Sequence, residues 1–231
     1  MLSYTFKRLL QAIPTLWIVI TLSFFLMHLA PGGPFDGERQ LPPEIEANLM
    51  ASYGLDKPVW EQYFTYMGNL LQGDLGPSFK YKDFSVTELV AQGFPVSLEL
   101  GLWAIGLALL VGIPMGVIAA LKRNSSIDYM LMGTALAGVA IPNFVIAPLL
   151  ALVFGVFLAW LPVGGWNDGH WKNMILPVVA LSIQQIAYIA RMMRASMIEV
   201  LSSHFVRTAR AKGLSESAVI FRHALRPAML P

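Results

Sequence analysis

Cysteine is absent from the 231 residues. Disulfides, thiol nucleophiles and thiolate metal sites are excluded with it. Charge is scarce: Asp, Glu, Lys and Arg make up 13% of the chain, against about a quarter in a soluble domain. No Gly-x-x-x-x-Gly-Lys-Ser/Thr loop is present, so the chain is not expected to hold ATP phosphates. No Gly-x-Ser-x-Gly turn is present either. His28, His170, His204 and His223 form neither a His-Glu-x-x-His pattern nor a close metal pair. Glu99 is the acid read as nearest a membrane core, and it has no partner; a first-turn dipole partner is its simpler role. No catalytic residue, cofactor or metal site is assigned, and no nucleic-acid partner is expected.

What is present is apolar. The hydrophobic fraction is 56%, or about 64% once the 19 glycines are added, against roughly 45–50% in soluble domains. Mean hydropathy is +0.60. The apolar residues come in long blocks, with 12 Met and 15 Pro among them. That composition suits interrupted membrane helices. The expected fold class is all-α, a polytopic transmembrane helical protein.

A spanning helix needs about 17–25 mainly apolar residues. The first candidate is Leu9 to Leu29, read as a retained anchor because it is too long for a signal-peptide core. The second is Leu98 to Leu121. The third block, Met130 to Trp160, carries no charge. At 1.5 Å per residue it exceeds what a core of about 30 Å requires. Pro142 and Pro148 offer places to break it, and the expectation is a lead-in followed by a span over about Leu136 to Trp160. The fourth candidate, Met174 to about Ile189, holds Gln184 and Gln185.

Positive charge is one-sided. Lys7 and Arg8 precede the first candidate, and Lys122 and Arg123 follow the second. Arg191, Arg194, Arg207, Arg210, Lys212, Arg222 and Arg226 follow the fourth. Segment 30–97 carries four basic and nine acidic residues. By the positive-inside rule, four spans result with both termini cytoplasmic.

Segment 30–97 is expected to be a helical extracytoplasmic insert. One helix starts at Pro43 and ends by Gly54. A second, amphipathic helix carries Val59, Trp60, Tyr63, Phe64, Met67, Leu70 and Leu71 at spacings of three and four, and Gly73 stops it. Ser85-Val86-Thr87-Glu88 fits a capping box leading toward Pro95. The aromatic stripe either docks a partner or packs on the spans and the lipid interface, and packing is the plainer role. Segment 191–231 reads as helix, glycine turn at Gly213, helix. On charge alone, an elbow received by a soluble protein and a helix touching anionic lipid are not separated.

The run Phe205-Val206-Arg207-Thr208-Ala209-Arg210-Ala211-Lys212-Gly213-Leu214-Ser215, followed by His223-Ala224-Leu225-Arg226-Pro227-Ala228-Met229-Leu230-Pro231, resembles the cytoplasmic signature of binding-protein-dependent ABC importer permeases, in their dipeptide/oligopeptide/nickel branch. Arg8 to Leu16, Ala30 to Phe35, Gly73 to Phe79 and Phe94 to Leu100 are similar to that branch at the corresponding places. Together they resemble the B-type permease subunits of oligopeptide importers. With the wider family's signature glycine on Gly213, its Glu falls on Arg207 and its Pro on Arg226, so both are absent; the peptide branch shares these departures.

The resemblance implies six spans, of which four are read here, with the fifth expected beyond Pro231. It implies three parts: 1–30, the N-terminus and first span; 31–97, the insert; and 98–231, a permease core with a coupling region at 194–231. It implies that the elbow seats in an ATP-hydrolysing subunit. There Gly213 allows the tight turn, Ala209 and Ala211 allow close approach, and Arg207, Arg210 and Lys212 meet acceptors. Leu214 and Phe221 serve as apolar knobs, and Thr208 and Ser215 complete the coupling stretch. The implied partners are a homologous second permease subunit, two cytoplasmic ATP-binding subunits that hold ATP and magnesium, an extracytoplasmic peptide-binding protein, a peptide substrate and membrane lipid. Asn143, Ser182, Gln184 and Gln185 are polar candidates for the substrate path, or for interhelical hydrogen bonds. Gly101, Gly106, Gly112 and Gly116 are expected to serve close helix packing.

Overall fold

The computed structural model describes residues 2–30, 50, 54–78, 81 and 84–230. The chain divides into two compact units, Met1–Gly93 and Phe94–Pro231.

In the first unit, α1 (Leu2–Leu29) carries the first apolar block with Pro14 inside it. Leu9, Leu16, Trp17, Leu22 and Leu26 are all more than half exposed, and Phe24 is buried. Such a face is stable only in an apolar surrounding. The amphipathic helix is α2 (Val59–Leu71). Its Tyr63 packs on Phe24 and Phe25 of α1 with ring centroids 5.4 Å away in each case. The Tyr63 hydroxyl lies 2.8 Å from Thr21 Oγ1. His28 stacks on Phe24 at 4.2 Å and meets Gln62 Oε1 at 3.1 Å. The inner side of the aromatic stripe thus covers the end of the first span, while Trp60, Phe64 and Leu71 stay exposed. Gly73, at φ +81°, stands just past the end of α2. The helix expected from Pro43 lies outside the described residues.

The capping box is made as the sequence spells it. Ser85 Oγ accepts from Glu88 N at 3.1 Å, and Glu88 Oε2 accepts from Ser85 N at 2.9 Å. It opens α3 (Val86–Leu121), which runs through Pro95 and Pro114 without a break. A helix ending near Pro95 and a span beginning at Leu98 are therefore one 36-residue helix. At 1.5 Å per residue it is about 54 Å long, well beyond a hydrocarbon core.

The second unit continues with α4 (Ser126–Ala140), then α5 (Asn143–Leu150), prolonged by a π-helical stretch, Ala151–Phe157. The two halves are bent by 100°, so no straight span runs from Leu136 to Trp160. The break falls at Ile141–Pro142 because proline disfavours helical backbone in the residue before it; Ile141 is extended at φ −91°, ψ 120°. Pro148 stays within α5. A 3-10 turn, Asn167–Gly169, precedes α6 (Trp171–Leu201). This helix starts just before the expected fourth span and runs twelve residues past Ile189. Among the described residues, three helices are long and apolar enough to cross a membrane, or four if the bent pair is one span. The protein is an all-α polytopic membrane protein.

Small residues set the packing of α3 and α4 on α6. A Cβ at Gly116 would lie 2.5 Å from Ala190 O, and one at Gly112 would lie 3.0 Å from Ile189 Cβ. One at Gly138 would lie 3.2 Å from Ile183 Cγ2. Gly101 and Gly106 face open space within 4 Å. The expected four-glycine packing face of α3 thus reduces to Gly112 and Gly116.

Beyond α6 lie α7 (His204–Ala211), α8 (Glu216–Ala218), a π-helical stretch, Val219–Ala224, and α9 (Leu225–Ala228). The helical periodicity read from Arg191 onward is interrupted at Ser202–Ser203, where Ser203 turns extended at ψ 157°. One buried apolar cluster joins the ends of α3 and α6 to these elements. Ala120, Met193, Met197, Val206, Ala209, Val219, Ala224 and Ala228 form it.

Candidate functional site

The elbow is built from α7, the glycine turn and α8. Val206 and Ala209 enter the buried cluster, while Arg207, Thr208, Arg210, Ala211 and Lys212 are exposed. A period near 3.6 places these two sets on opposite sides of α7. Gly213 closes the turn at φ +80°, with no atom within 4 Å of a built Cβ, and its N–H donates to Arg210 O at 2.9 Å. Here glycine answers to backbone conformation, not to crowding. Ser215 Oγ caps α8, accepting from Ala218 N at 3.4 Å.

Leu214 and Phe221 are exposed, Phe221 by 66%, as apolar knobs require. Arg210 is already held within the chain: its Nε and Nη2 donate to the Glu216 carboxylate at 2.8 and 3.2 Å. That hydrogen-bonded carboxylate raises the guanidinium above its ordinary pKa. Arg207 Nη2 lies 3.0 Å from His204 Nδ1. Ala209 is 5% exposed, so its small side chain serves packing inside the chain and not approach by another protein; Ala211 is on the outer face. The outer surface therefore offers Arg207, Lys212, Leu214 and Phe221 around the glycine turn.

The four polar candidates are not gathered into one lining. Ser182 is fully buried and donates to Val179 O at 2.9 Å within its own helix. Gln184, two residues on, points to another side of α6 and reaches Ile141 O at the helix break, at 3.5 Å. Asn143 opens α5 just past that break, and its Oδ1 is buried with no partner. Gln185 is exposed. Where α3, α4 and α6 meet there is an apolar groove of about 140 Å³, lined by Met115, Thr134, Gly138 and Ile183 among others. None of the four polar candidates lines it.

One polar contact escaped the sequence reading, which singled out Glu99 as the acid near the membrane. Asp128, in the first turn of α4, is 1% exposed. Arg194 Nε and Nη2 donate to its two oxygens, each at 2.6 Å. Asn124 N donates to Oδ2 at 2.8 Å. A signal was present: Ser125-x-x-Asp128 is a capping pattern, and Ser125 Oγ does accept from Asp128 N. The partner, 66 residues away, had no local signal. Among the described residues no group of His, Asp or Glu could hold a metal ion.

Comparison with known proteins agrees with this architecture. Residues 112–231 match the family described as "Binding-protein-dependent transport system inner membrane component". Residues 1–101 match "Binding-prot-dependent transport system membrane comp, N-term". The oligopeptide transport system permease protein OppB of Salmonella typhimurium is 60% identical over 231 residues, which is 100% of this chain and 76% of that protein. OppB of Haemophilus influenzae is 58% identical over the same shares. The dipeptide transport system permease protein DppB of Bacillus subtilis is 43% identical over 100% of this chain and 74% of its own. With both family regions matched and identity this high along its whole length, the chain belongs to the inner membrane components of binding-protein-dependent transport systems.

Proposed function

We propose that this chain is a membrane subunit of an ATP-driven oligopeptide importer in the bacterial inner membrane, and that it works by alternating access. It is a membrane component and not the enzyme of the system. A homologous second permease subunit completes the pathway. Two cytoplasmic subunits bind ATP with magnesium, and an extracytoplasmic binding protein delivers the peptide. Residues 31–97 form the external insert, and 98–231 belong to a six-span core with the coupling region at 194–231. The relatives' names favour oligopeptides over dipeptides, since 60% identity to OppB exceeds 43% to DppB.

The observation that carries the reading is the elbow. Arg207, Lys212, Leu214 and Phe221 surround a glycine turn, and Met197, Val206 and Val219, each fully buried, lock that turn to α6. The buried Ala120 adds the end of α3 to the same body. A protein that seats the elbow and moves it moves the ends of two spans, because packed apolar clusters shift as bodies and do not deform smoothly. One-sided positive charge puts this end in the cytoplasm, where ATP-binding partners reside. Asn143 and Gln184, near the bend between α4 and α5, are the polar side chains best placed to meet a peptide backbone.

The test is Gly213→Arg in the full complex. Membrane insertion should be normal, while co-purification of the ATP-binding subunits and peptide uptake should be lost. Normal co-purification would remove the docking role. A reporter fused near Ser215 that proved extracytoplasmic would remove the whole reading.

A further inference from the structure

The apolar body that carries the elbow includes the ends of α3 and α6 but, among the described residues, nothing from α4. α4 packs extensively along α6, with Gly138 against Ile183 and Ala187, about two to three turns away from Arg194. At its N-terminal end the contact is polar. Arg194 lies one residue after Met193 and three before Met197, both in the elbow cluster. Its guanidinium grips Asp128 with two parallel bonds, the most directional form of ion pair. The grip is anchored on both sides. Asp128 Oδ2 also takes the N–H of Asn124, whose backbone sits at φ +62°, the left-handed region that asparagine enters more readily than other side-chain-bearing residues. On the other side α3 presses on the same stretch of α6, since a Cβ on Gly116 would come within 3.0 Å of Arg194 N.

We infer that Asp128 is a positioning residue for transport: through Arg194 it ties the N-terminal end of α4 to the elbow-bearing end of α6. Displacement of the elbow then reaches α4 and, through it, the bend at Ile141–Pro142. A bidentate pair whose carboxylate is 1% exposed resists parting, because parting it would leave the buried carboxylate without its counter-charge. This inference rests on the transport reading above and adds to it which residues carry the stroke to a third helix.

The experiment uses the complete transporter in proteoliposomes, with ATP hydrolysis and uptake of a labelled oligopeptide measured together. Asp128→Asn alone strands Arg194 and risks misfolding. The informative variant is Asp128→Asn with Arg194→Gln, which removes both charges and so avoids an unpaired one. Expected are normal co-purification of the ATP-binding subunits and near-normal ATP hydrolysis. Peptide taken up per ATP should be about tenfold lower, a mid-range value for a coupling between sites. The swap Asp128→Arg with Arg194→Asp should recover part of that ratio. An unchanged ratio in the neutral pair would overturn the inference. So would a parallel fall of hydrolysis and uptake, which signals mere structural damage. A second readout does not need uptake. The 231 residues hold no cysteine, so spin labels at Tyr129→Cys and Ser202→Cys are specific once any cysteines elsewhere in the complex are replaced. Their separation should stay constant on adding ATP with the pair intact, and vary in the neutral double variant. Failure of the transport reading itself would show as no ATP-dependent uptake by the unaltered complex, with the spin-label comparison still deciding whether the tie exists.

Discussion

Gly116→Ala isolates the contact between α3 and α6 with a single methyl group. A Cβ there would stand 2.5 Å from Ala190 O, 2.7 Å from Met193 Cβ and 3.0 Å from Arg194 N. Two of the three atoms are backbone and cannot rotate away. Restoring a contact distance of about 3.5 Å requires the helices to part by roughly 1 Å. Overpacking of this kind costs about 1–3 kcal/mol, while replacing glycine by alanine in a helix returns about 0.5–1 kcal/mol. By these ranges the net lies between about 0 and 2.5 kcal/mol of destabilisation, and backbone contacts this short put it toward the upper end. Gly106→Ala is the control: nothing lies within 4 Å, so the helix gain stands alone and the change should be neutral or slightly stabilising. Gly112→Ala should fall between, since two of its three close atoms belong to the Ile189 side chain. Thermal unfolding of the purified transporter, followed by loss of its monodisperse peak on size-exclusion chromatography, should rank the midpoints Gly106→Ala, Gly112→Ala, Gly116→Ala from high to low. Equal midpoints for Gly116→Ala and Gly106→Ala would refute the argument that α3 and α6 meet at backbone contact.

At the elbow, Gly213→Ala forces a Cβ into left-handed backbone, which costs roughly 1–2 kcal/mol, whereas Gly213→Asn is better tolerated there. Pull-down of the ATP-binding subunits should weaken more with Ala than with Asn, and the reverse order would count against a conformational role for this glycine. Glu216→Gln breaks an exposed pair with Arg210 and should change stability by less than about 1 kcal/mol; a larger loss in a thermal shift assay would mean the pair supports the turn. Ser85→Ala removes the cap of α3 and should cost about 0.5–2 kcal/mol locally, visible as faster limited proteolysis between residues 84 and 95; unchanged cleavage would contradict it.

Much of this was legible because it is local. The capping box at Ser85 and Glu88, the stop at Gly73 and the glycine turn at Gly213 are decided by a few adjacent residues, and each is formed as read. The apolar blocks and the one-sided arginines and lysines are sums over neighbouring positions, so the membrane class could be read too. The errors lie where two local rules compete or where a distant segment decides. Pro142 and Pro148 both break helices in principle; only Pro142 does so here, and α5 carries Pro148 within it. Pro95 looked like a stop and is not, since membrane helices retain their prolines when other contacts hold them.

The amino-acid order by itself thus determined an all-α membrane protein, its candidate spans, its charge asymmetry and its glycine-centred elbow, for these follow from hydropathy, charge and backbone preference over short windows. Tertiary structure alone decided that Gly112 and Gly116 touch α6 while Gly101 and Gly106 do not. It alone turned Ala209 inward, separated Ser182 from Gln184 and closed Asp128 on Arg194. Those outcomes depend on which helix lies alongside which, and no periodicity within one segment carries the identity of its neighbour.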